Sequence, residues 1–317
     1  MKRAAAYLIL AASMWALAAT AVKPGKLAPR PLYRDPVYDT PTDPALCYNA
    51  EQKKWLMFYT QRRGNGISLI HGTRIGVAES ADGGATWTYR GLAAIDYGAD
   101  KYPDGYTYWA PDVIWFKGIY HMYLTFVPGI FTNWDRPREI VHLTSRDMLK
   151  WTAVGPLDLG TDRAIDAGLI QLRNGVWRMF FKDERKKMML SYADSPDLYL
   201  WQAKGNAVTD RNGEGPKPFH WKGKYWLVAD IWAGQGVWNS DDCTHWKPQQ
   251  GVLPGNHGDV VVSGGRAYFF FFGPAQRSSR TVPINVVELN VVNGKLVPQD
   301  LSEPTYIDLK PQRETEK

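Results

Sequence analysis

KWLMFY at residues 54–59 sets a pattern that returns four times along the chain, as GIYHMY at 118–123, GVWRMF at 175–180, GKYWLV at 223–228 and GRAYFFF at 265–271. Each copy joins a turn residue to aromatic and β-branched residues, a composition that favours a strand after a tight turn. The first aromatic residues of successive copies lie 65, 57, 48 and 43 residues apart. Strand-built repeats of this length are typical of propeller blades, so the five copies predict five blades.

An apolar run precedes each aromatic strand, and we interpret it as the innermost strand of the blade, lining a central channel. The runs are ALCY at 45–48, VIWF at 113–116, LIQL at 169–172, PKPF at 216–219 and VVV at 260–262. Gly and Pro, with 29 and 21 residues, interrupt the chain too often for long helices. We therefore expect an all-β fold, a five-bladed β-propeller, as a single domain over residues 22–317.

A second repeat ends in tryptophan. Its four copies are SADGGATW at 80–87, SRDMLKW at 145–151, SPDLYLW at 195–201 and SDDCTHW at 240–246. Ser and Asp side chains can accept hydrogen bonds from the amides of a tight turn, and we expect the indole to pack between neighbouring sheets. The first copy also fits the Asp-box of sialidase-like propellers. A sialidase is disfavoured, because only one copy is complete and no arginine triad can be recognised.

The first residues predict export. Lys2 and Arg3 precede an apolar run that ends in a small-residue cleavage site at residues 19–21. This arrangement is typical of a secretory signal peptide, and the run is shorter than the ~20 apolar residues that span a bilayer. We expect residues 1–21 to be removed and the mature chain to be periplasmic or secreted, with no membrane association after cleavage.

Charge and composition limit the partners. The formal net charge is +6, and it falls to +4 when the leader is removed. Because the chain has no dense Lys/Arg tract, nucleic acid is not an expected partner. Trp and Tyr are abundant, with 14 and 17 residues, which suits both an all-β core and a carbohydrate ligand. Two cysteines, Cys47 and Cys243, are too few for a disulfide scaffold, although a bridge between them is possible.

Counting back from each second-strand aromatic residue places chemically active side chains in register. The residue eleven positions earlier, or twelve in the first blade, is Asp43, Trp109, Asp166, Glu214 and His257 in blade order. Equivalent positions of successive blades lie side by side around a propeller axis, so these residues should form a ring at one mouth of the channel. The alternative for each acid alone is that it caps a turn.

Carboxyl groups gathered in one pocket are what glycoside hydrolysis needs. One carboxyl must donate a proton to the leaving oxygen, and another must be ionised to activate water or attack the sugar. A third acid nearby can raise the pKa of the proton donor by like-charge repulsion. The register therefore predicts a glycosidase site.

Five motifs carry a resemblance to a known family. They are Asp43-Pro44, Trp109-Ala-Pro-Asp112, Ile165-Asp166, Glu214-Gly-Pro216 and His257-Gly-Asp-Val-Val261. In this spacing, the chain resembles glycoside hydrolase family 43 and its relatives over nearly its whole mature length. The resemblance implies a five-bladed propeller that cleaves glycosidic bonds with inversion, mostly in glycans that contain arabinose or xylose.

The resemblance also implies roles for individual residues. Asp43 would be the general base, Asp166 the residue that modulates the pKa of the acid, and Glu214 the general acid. Asp112 would support the substrate site from deeper on its strand. Independently of the resemblance, the strand register places Trp109 at the channel mouth, where it would offer a face to the sugar. The resemblance implies no required cofactor, but it allows a structural calcium ion on the axis, held with help from His257.

Several features depart from the family pattern. Asp166 is followed by alanine where the family usually has proline, and Asp35-Pro36 competes with Asp43 for the role of base. Asp35 lies too far from the strand register, which favours Asp43. The charged segments RRGNGISLIHGTR at 62–74 and KDERKK at 182–187 are either solvated loops or contacts to an acidic sugar. In the second case Arg62 and His71 would bind substrate.

We therefore expect a glycoside hydrolase of the arabinofuranosidase or xylosidase type, or a related exo-glycosidase, acting on a plant or algal polysaccharide or oligosaccharide. A retaining, invertase-like enzyme is an alternative, although its usual Arg-Asp-Pro and Glu-Cys motifs are missing. A glycan-binding propeller without catalysis is another alternative. It would keep the aromatic residues and tolerate the loss of an acid, whereas all three acids are present here.

Overall fold

The computed structural model describes residues 25–62, 72–103, 105–129, 134–273 and 281–312. Over these residues the chain forms 23 strands, one short 3₁₀ helix at Glu184–Lys186 and no α-helix. Five antiparallel sheets follow one another along the chain as the blades of a propeller. The predicted fold class is thus confirmed. The leader at residues 1–21 lies outside the described residues, and no helix within the described ranges has the length and apolar character needed to cross a membrane.

Strands β1 to β10 form a short N-terminal strand and blades I and II. They are β1 Lys26–Leu27; β2 Pro41–Asn49, β3 Lys54–Gln61, β4 Arg74–Ser80 and β5 Thr88–Leu92 in blade I; and β6 Ala94–Asp96, β7 Tyr106–Phe116, β8 Ile119–Pro128, β9 Glu139–Ser145 and β10 Lys150–Pro156 in blade II. Strand β6 adds a parallel outer edge to blade II by pairing with β10.

Strands β11 to β23 form blades III to V and a C-terminal strand. They are β11 Ala164–Gln171, β12 Trp177–Asp183, β13 Met189–Ser195 and β14 Gln202–Asn206 in blade III; β15 Glu214–Trp221, β16 Lys224–Asp230, β17 Gln235–Ser240 and β18 Lys247–Pro248 in blade IV; β19 Gly258–Ser263, β20 Arg266–Phe272, β21 Ile284–Val292 and β22 Lys295–Pro298 in blade V; and β23 Tyr306–Ile307. The five predicted aromatic runs are the second strands of the five blades.

The tryptophan repeat forms the turn between the third and fourth strands of blades I to IV. In blade II, Asp147 Oδ1 accepts hydrogen bonds from the amides of Leu149 (2.8 Å) and Lys150 (3.0 Å). Ser145 Oγ accepts one from the amide of Met148 at 2.9 Å. The side chains therefore satisfy the turn amides as the sequence predicts.

In each of blades I to IV, a β-bulge interrupts the pairing of the first and second strands at an equivalent position. The register between first and second strands shifts after Thr42, Trp109, Ile165 and Glu214. The first bulged residue has a positive φ in every case: 53° at Asp43, 42° at Ala110, 61° at Asp166 and 57° at Gly215. A bulge bends its strand and redirects the side chains around it. It also accommodates the prolines at 44, 111 and 216, which cannot donate to a ladder.

The ring closes where blade V meets blade I. Strand β19 packs against β2, and the Asp259 carboxylate accepts the amide of Leu46 at 2.7 Å. The N-terminal segment also binds the last blade, with Leu32 N donating to Ile284 O at 3.0 Å. Apolar clusters fill the spaces between the blades. Cys47 and Cys243 are buried free thiols in two different clusters.

Candidate active site

A cavity of about 640 Å³ opens at the end of the channel where the bulges lie. All five blades contribute to its wall, and four carboxyl groups reach it, from blades I, III and IV. Its lining consists of Asp43, Arg62, Trp109, Trp134, Arg163, Ile165, Asp166, Lys182, Glu184, Met188, Glu214, Trp232, His257 and Phe272. The five residues of the predicted ring are all among them.

Asp43 is an ionised carboxylate on the floor of the cavity. His257 Nδ1 lies 3.2 Å from its Oδ1, the Thr42 hydroxyl donates to its Oδ2 at 2.9 Å, and the Arg62 guanidinium lies 3.8 Å from Oδ2. Burial alone raises the pKa of Asp43, but the Arg62 charge and the His257 hydrogen bond outweigh burial and hold this pKa below its usual range. Asp43 can therefore accept a proton at neutral pH.

Asp166 is a buried carboxyl with the opposite tendency. Burial raises its pKa to about 6; the His257 charge opposes this, and the negative charge of Glu214 adds to it. The Asp166 amide donates to Thr125 Oγ1 at 3.0 Å, and its Oδ2 accepts the Gly215 amide at 3.2 Å. The pKa values of the two aspartates in this cavity are thus shifted in opposite directions, which is the pattern of acid–base sites.

Glu214 is the most exposed of the three acids that the strand register predicted for the site. Its side chain is 29% exposed, whereas that of Asp43 is 5% exposed. Lys182 Nζ lies 2.9 Å from Glu214 Oε2 and 3.3 Å from Glu184 Oε1, and Glu184 pairs with the buried Arg138 at 2.9 Å. Burial lowers the pKa of Lys182, but the neighbouring carboxylates reverse the effect and raise it. Lys182 is therefore a cation that holds one oxygen of Glu214.

Hydrogen bonds link each blade to the next around the cavity. In every link, a side chain of one blade bonds to a residue at the mouth of the neighbouring blade. The donors and acceptors are the Ala110 amide and Thr60 Oγ1 (2.8 Å), the Asp166 amide and Thr125 Oγ1 (3.0 Å), the Gly215 amide and Asp166 Oδ2 (3.2 Å), the His257 amide and Asp230 Oδ2 (3.2 Å), and His257 Nδ1 and Asp43 Oδ1 (3.2 Å). These five hydrogen bonds form a closed ring that holds the bulges in place, and with them Asp43, Asp166 and Glu214.

His257 is a buried cation next to Asp43. Burial lowers its pKa, but the hydrogen bond and charge of Asp43 outweigh burial and raise the pKa to about 9. Its ring lies against Gly215, where a Cβ atom would stand 2.0 Å from Cδ2 of the imidazole. The glycine of the Glu-Gly-Pro motif is therefore required by the imidazole of the next blade, as well as by its φ of 57°.

Aromatic side chains form walls on two sides of the cavity. Trp109 and Trp134 stand together in blade II, with ring centroids 5.9 Å apart, and Arg138 lies 5.8 Å above the Trp109 ring. Trp232 lies after the second strand of blade IV and is 54% exposed. It has a φ of 61°, and its amide donates to Asp230 Oδ1 at 2.7 Å. Exposed indoles are surfaces on which a sugar ring can stack.

Because of the bulge, the residues found by counting along the sequence do not all occupy the same structural position in their blades. In blades I and III the first bulged residue is Asp43 or Asp166. In blades II and IV, Trp109 and Glu214 are instead the last paired residues before the bulge. The counted positions are thus offset by one residue between alternate blades, although their side chains reach the same cavity.

Several groups at the site come from the ends of the second strands. Sequence reasoning named Arg62 as a substrate contact and Lys182 only within a charged run, and it missed Phe272 and Asp230. Arg62, Lys182 and Phe272 line the cavity from such ends, and Asp230 supports it. In an antiparallel hairpin the last residue of the second strand lies beside the first residue of the first strand. That rule could have located them: Lys182 is paired with Ile165 across its hairpin, and Asp230 with Glu214.

Some of the predicted site residues lie elsewhere. Asp112 is buried away from the cavity and pairs with Lys217. Asp35 does not line the cavity; it accepts hydrogen bonds from Tyr59 (2.5 Å) and Gln61 (2.8 Å) and anchors the N-terminal segment. His71 lies outside the described residues.

The described residues do not fit a calcium ion on the axis. They contain no group of three or more acidic, histidine or cysteine side chains arranged to hold a metal. His257 uses Nδ1 for the contact with Asp43. Asp112 and Asp259, deeper on the axis, share the ammonium of Lys217 at 2.7 and 3.5 Å.

The molecule is thus a five-bladed β-propeller with a carboxylate-lined cavity on its axis, and comparison with solved structures identifies others of this kind. No model of a known protein family matches the chain, and no curated protein is similar to it in sequence. Solved structures that share its fold include the following three. The first is a thermostable family-43 glycoside hydrolase, with 19% identity over 90% of this chain and 99% of that chain and a TM-score of 0.65. The second is a family-43 β-1,3-galactosidase with galactodeoxynojirimycin, with 14% identity over 91% of this chain and 99% of that chain and a TM-score of 0.67. The third is a family-43 enzyme from Xanthomonas citri complexed with xylose, with 14% identity over 82% of this chain and 91% of that chain and a TM-score of 0.62. The chain therefore has the fold of the family-43 glycoside hydrolases.

Proposed function

We propose that this protein is a glycoside hydrolase that cleaves a glycosidic bond with inversion. Asp43 is the general base, Glu214 the general acid, and Asp166 the carboxyl that tunes their charge. The observation that carries the proposal is the meeting of these three carboxyls, from three blades, in one cavity with different electrostatic surroundings. The fold shared with family-43 glycoside hydrolases supports the same reaction class.

In this mechanism Asp43 removes a proton from the attacking water. His257 and Arg62 keep the base ionised, and the hydroxyl of Thr42 orients it. The water attacks the anomeric carbon from the face of Asp43 while a carboxylic acid on the other face protonates the leaving oxygen. Inverting enzymes place these two carboxyls about 6.5–9.5 Å apart to leave room for the water.

We assign Glu214 as the proton donor because its side chain is the most solvent-exposed of the three proposed catalytic acids. Lys182 binds only Oε2 of Glu214 and shares its charge with Glu184, so the transferred proton would sit on Oε1. The positive charge beside Glu214 would also stabilise the carboxylate left after the transfer.

Hydrolysis of a panel of plant and algal glycans tests the proposal. The purified protein, Glu214→Gln and Asp43→Asn should be compared on arabinan, xylan, galactan and acidic polysaccharides. We expect one class of sugar to be released by the unaltered protein, with losses of about 10²–10⁴-fold for each variant. The anomer formed first, observed by proton NMR, should be the inverted one.

Three results would contradict the proposal. Equal release by the Glu214→Gln variant would remove this residue from the acid role. Glycan binding by all three proteins without any hydrolysis would favour the alternative of a glycan-binding propeller, and a retained anomer would favour an invertase-like mechanism.

We also propose that the protein is exported and needs no cofactor. The leader at residues 1–21 supports export, and N-terminal sequencing of the protein recovered from outside the cytoplasm should begin near Val22. The charges on the axis are supplied by protein side chains, so a chelator should leave activity unchanged.

A further inference from the structure

Arg62 stands at the edge of the cavity with donors that no described residue uses. Its amide donates to Thr40 O and Thr60 O, both at 3.1 Å, which fixes the residue just after β3. The ring of Phe272 lies 5.4 Å from the guanidinium carbon. Within the described ranges, the buried Nε of Arg62 has no hydrogen-bond partner. A buried donor without an acceptor is unfavourable, so this position suits a ligand that brings one.

The contact with Asp43 does not satisfy the hydrogen-bond donors of the Arg62 side chain. The shortest contact between their side chains, 3.8 Å, is too long for a hydrogen bond. Asp43 already has two closer partners, His257 at 3.2 Å and Thr42 at 2.9 Å. Arg62 therefore adds positive charge near the base while its hydrogen-bonding capacity is not used on the protein.

The other cations that line the cavity have close partners. Lys182 is shared between two glutamates at 2.9 and 3.3 Å. Arg163 binds the Trp134 carbonyl at 2.8 Å and Asp135 at 2.7 Å, and His257 is held by Asp43. Among the cations that the described residues place on this wall, Arg62 is the one whose charge lacks a carboxylate at hydrogen-bond distance.

We propose that Arg62 binds an anionic group on the sugar that occupies the cavity, so that the substrate is a glycan containing acidic sugars. A planar guanidinium matches a carboxylate with two parallel hydrogen bonds, and it binds a sulfate ester by the same donors. The position beside Asp43 assigns the acidic group to the sugar whose anomeric carbon is attacked. This inference deepens the proposed glycosidase function and rests on it for the choice of sugar.

Titration of intrinsic tryptophan fluorescence tests the inference without turnover, since Trp109, Trp134 and Trp232 line the cavity. The probes are glucuronate and galacturonate, the neutral sugars glucose and galactose, and glucose 6-sulfate. We expect one acidic probe to bind at least about 10-fold more tightly than its neutral counterpart. Arg62→Gln should weaken that acidic probe about 10–100-fold, and Arg62→Lys should restore part of the loss.

Arg185→Gln is the matched control. Arg185 is exposed, pairs with Asp162 and does not line the cavity, so the variant removes the same charge from outside the site. It should retain the preference for acidic sugars. The kinetic counterpart is the ratio of kcat/KM for a nitrophenyl uronide to that for the neutral glycoside, which should fall in Arg62→Gln through a higher KM.

Three results would overturn the inference: equal affinity for acidic and neutral sugars, a preference that survives Arg62→Gln, or equal losses in the Arg62 and Arg185 variants. An Arg62→Gln variant with a shifted pH profile and an unchanged preference would show that Arg62 acts only through Asp43. Preferential binding of acidic sugars by a protein that hydrolyses no glycoside would leave the anion site standing while the proposed function failed. Tight binding of the sulfate alone would identify a sulfate ester as the anion.

Discussion

Lys217 and Asp112 form a buried ion pair on the propeller axis, with Nζ 2.7 Å from Oδ1. The same ammonium lies 3.5 Å from Oδ1 of Asp259. The second oxygens of the two aspartates accept the amides of Leu169 (2.8 Å) and Leu46 (2.7 Å). One lysine of blade IV thus connects all five blades, because each aspartate also bridges its own blade to the next.

Replacing Lys217 with Met should therefore destabilise the whole propeller. The variant keeps the length of the side chain and leaves two buried carboxylates without their cation, a change that typically costs about 3–5 kcal/mol. Urea denaturation followed by tryptophan fluorescence measures the loss. Lys224→Met is the control, since its pair with Asp241 is solvent-exposed and should change stability little. An equal loss of unfolding free energy in the two variants would show that the buried pair on the axis contributes no more stability than an exposed ion pair.

Removing divalent cations should leave the unaltered protein unchanged. Lys217 supplies the positive charge between Asp112 and Asp259, so EDTA is expected to shift neither Tm nor activity. Differential scanning fluorimetry with and without added Ca²⁺ checks this. A Tm that falls in EDTA and returns when Ca²⁺ is added would instead support the calcium site that the family resemblance implied.

Gly215→Ala should damage the site more than its backbone strain alone explains. An added Cβ would meet the His257 ring at 2.0 Å, so the imidazole would have to leave Asp43. Gly223 has a φ of 79° and open space around it, so Gly223→Ala carries only the strain of a left-handed residue, about 1–2 kcal/mol. Stability and kcat of the two variants should be compared. Similar losses in both would contradict the contact-based explanation.

The role of Glu214 as proton donor predicts a dependence on the leaving group. Glu214→Gln should lose about 10²–10⁴-fold in kcat/KM on natural linkages and much less on dinitrophenyl glycosides, whose leaving group needs no proton. Asp43→Asn should lose activity on both kinds of substrate, because both need an activated water. If Asp166→Asn, rather than Glu214→Gln, recovers on the activated substrate, then Asp166 is the donor.

The pair of His257 and Asp43 predicts how stability depends on pH. The pKa of His257 is raised to about 9 from 6.5, so the folded state holds its proton more tightly than the unfolded state. The contribution is fully present below pH 6.5 and is lost as the pH rises through about 9; a shift of this size corresponds to about 3 kcal/mol. The difference in unfolding free energy between the unaltered protein and His257→Gln should shrink by that amount between pH 6 and pH 10.

A constant difference between His257→Gln and the unaltered protein from pH 6 to pH 10 would mean that the imidazole is not charged by its neighbours.

Much of the fold could be predicted, because each blade is built from local hairpins. The aromatic second strands and the Ser-x-Asp turns are patterns within a few residues, and the structure places them as the repeats predict. The site was only partly predictable. Counting located Asp43 and Asp166 but could not foresee the bulge, which shifts the equivalence by one residue at Trp109 and Glu214. Lys182 was noticed only as part of a charged run.

The number of blades, the turns between strands and the candidate acids follow from the order of residues, because strand propensity and turn chemistry act over short stretches of chain. The charge state of each acid was decided only in the folded molecule. Lys217 meets Asp112 across 105 positions of sequence, and His257 meets Asp43 only because blade V closes against blade I. Burial and charge at a distance set these pKa values, and both depend on which blades the closed ring brings together.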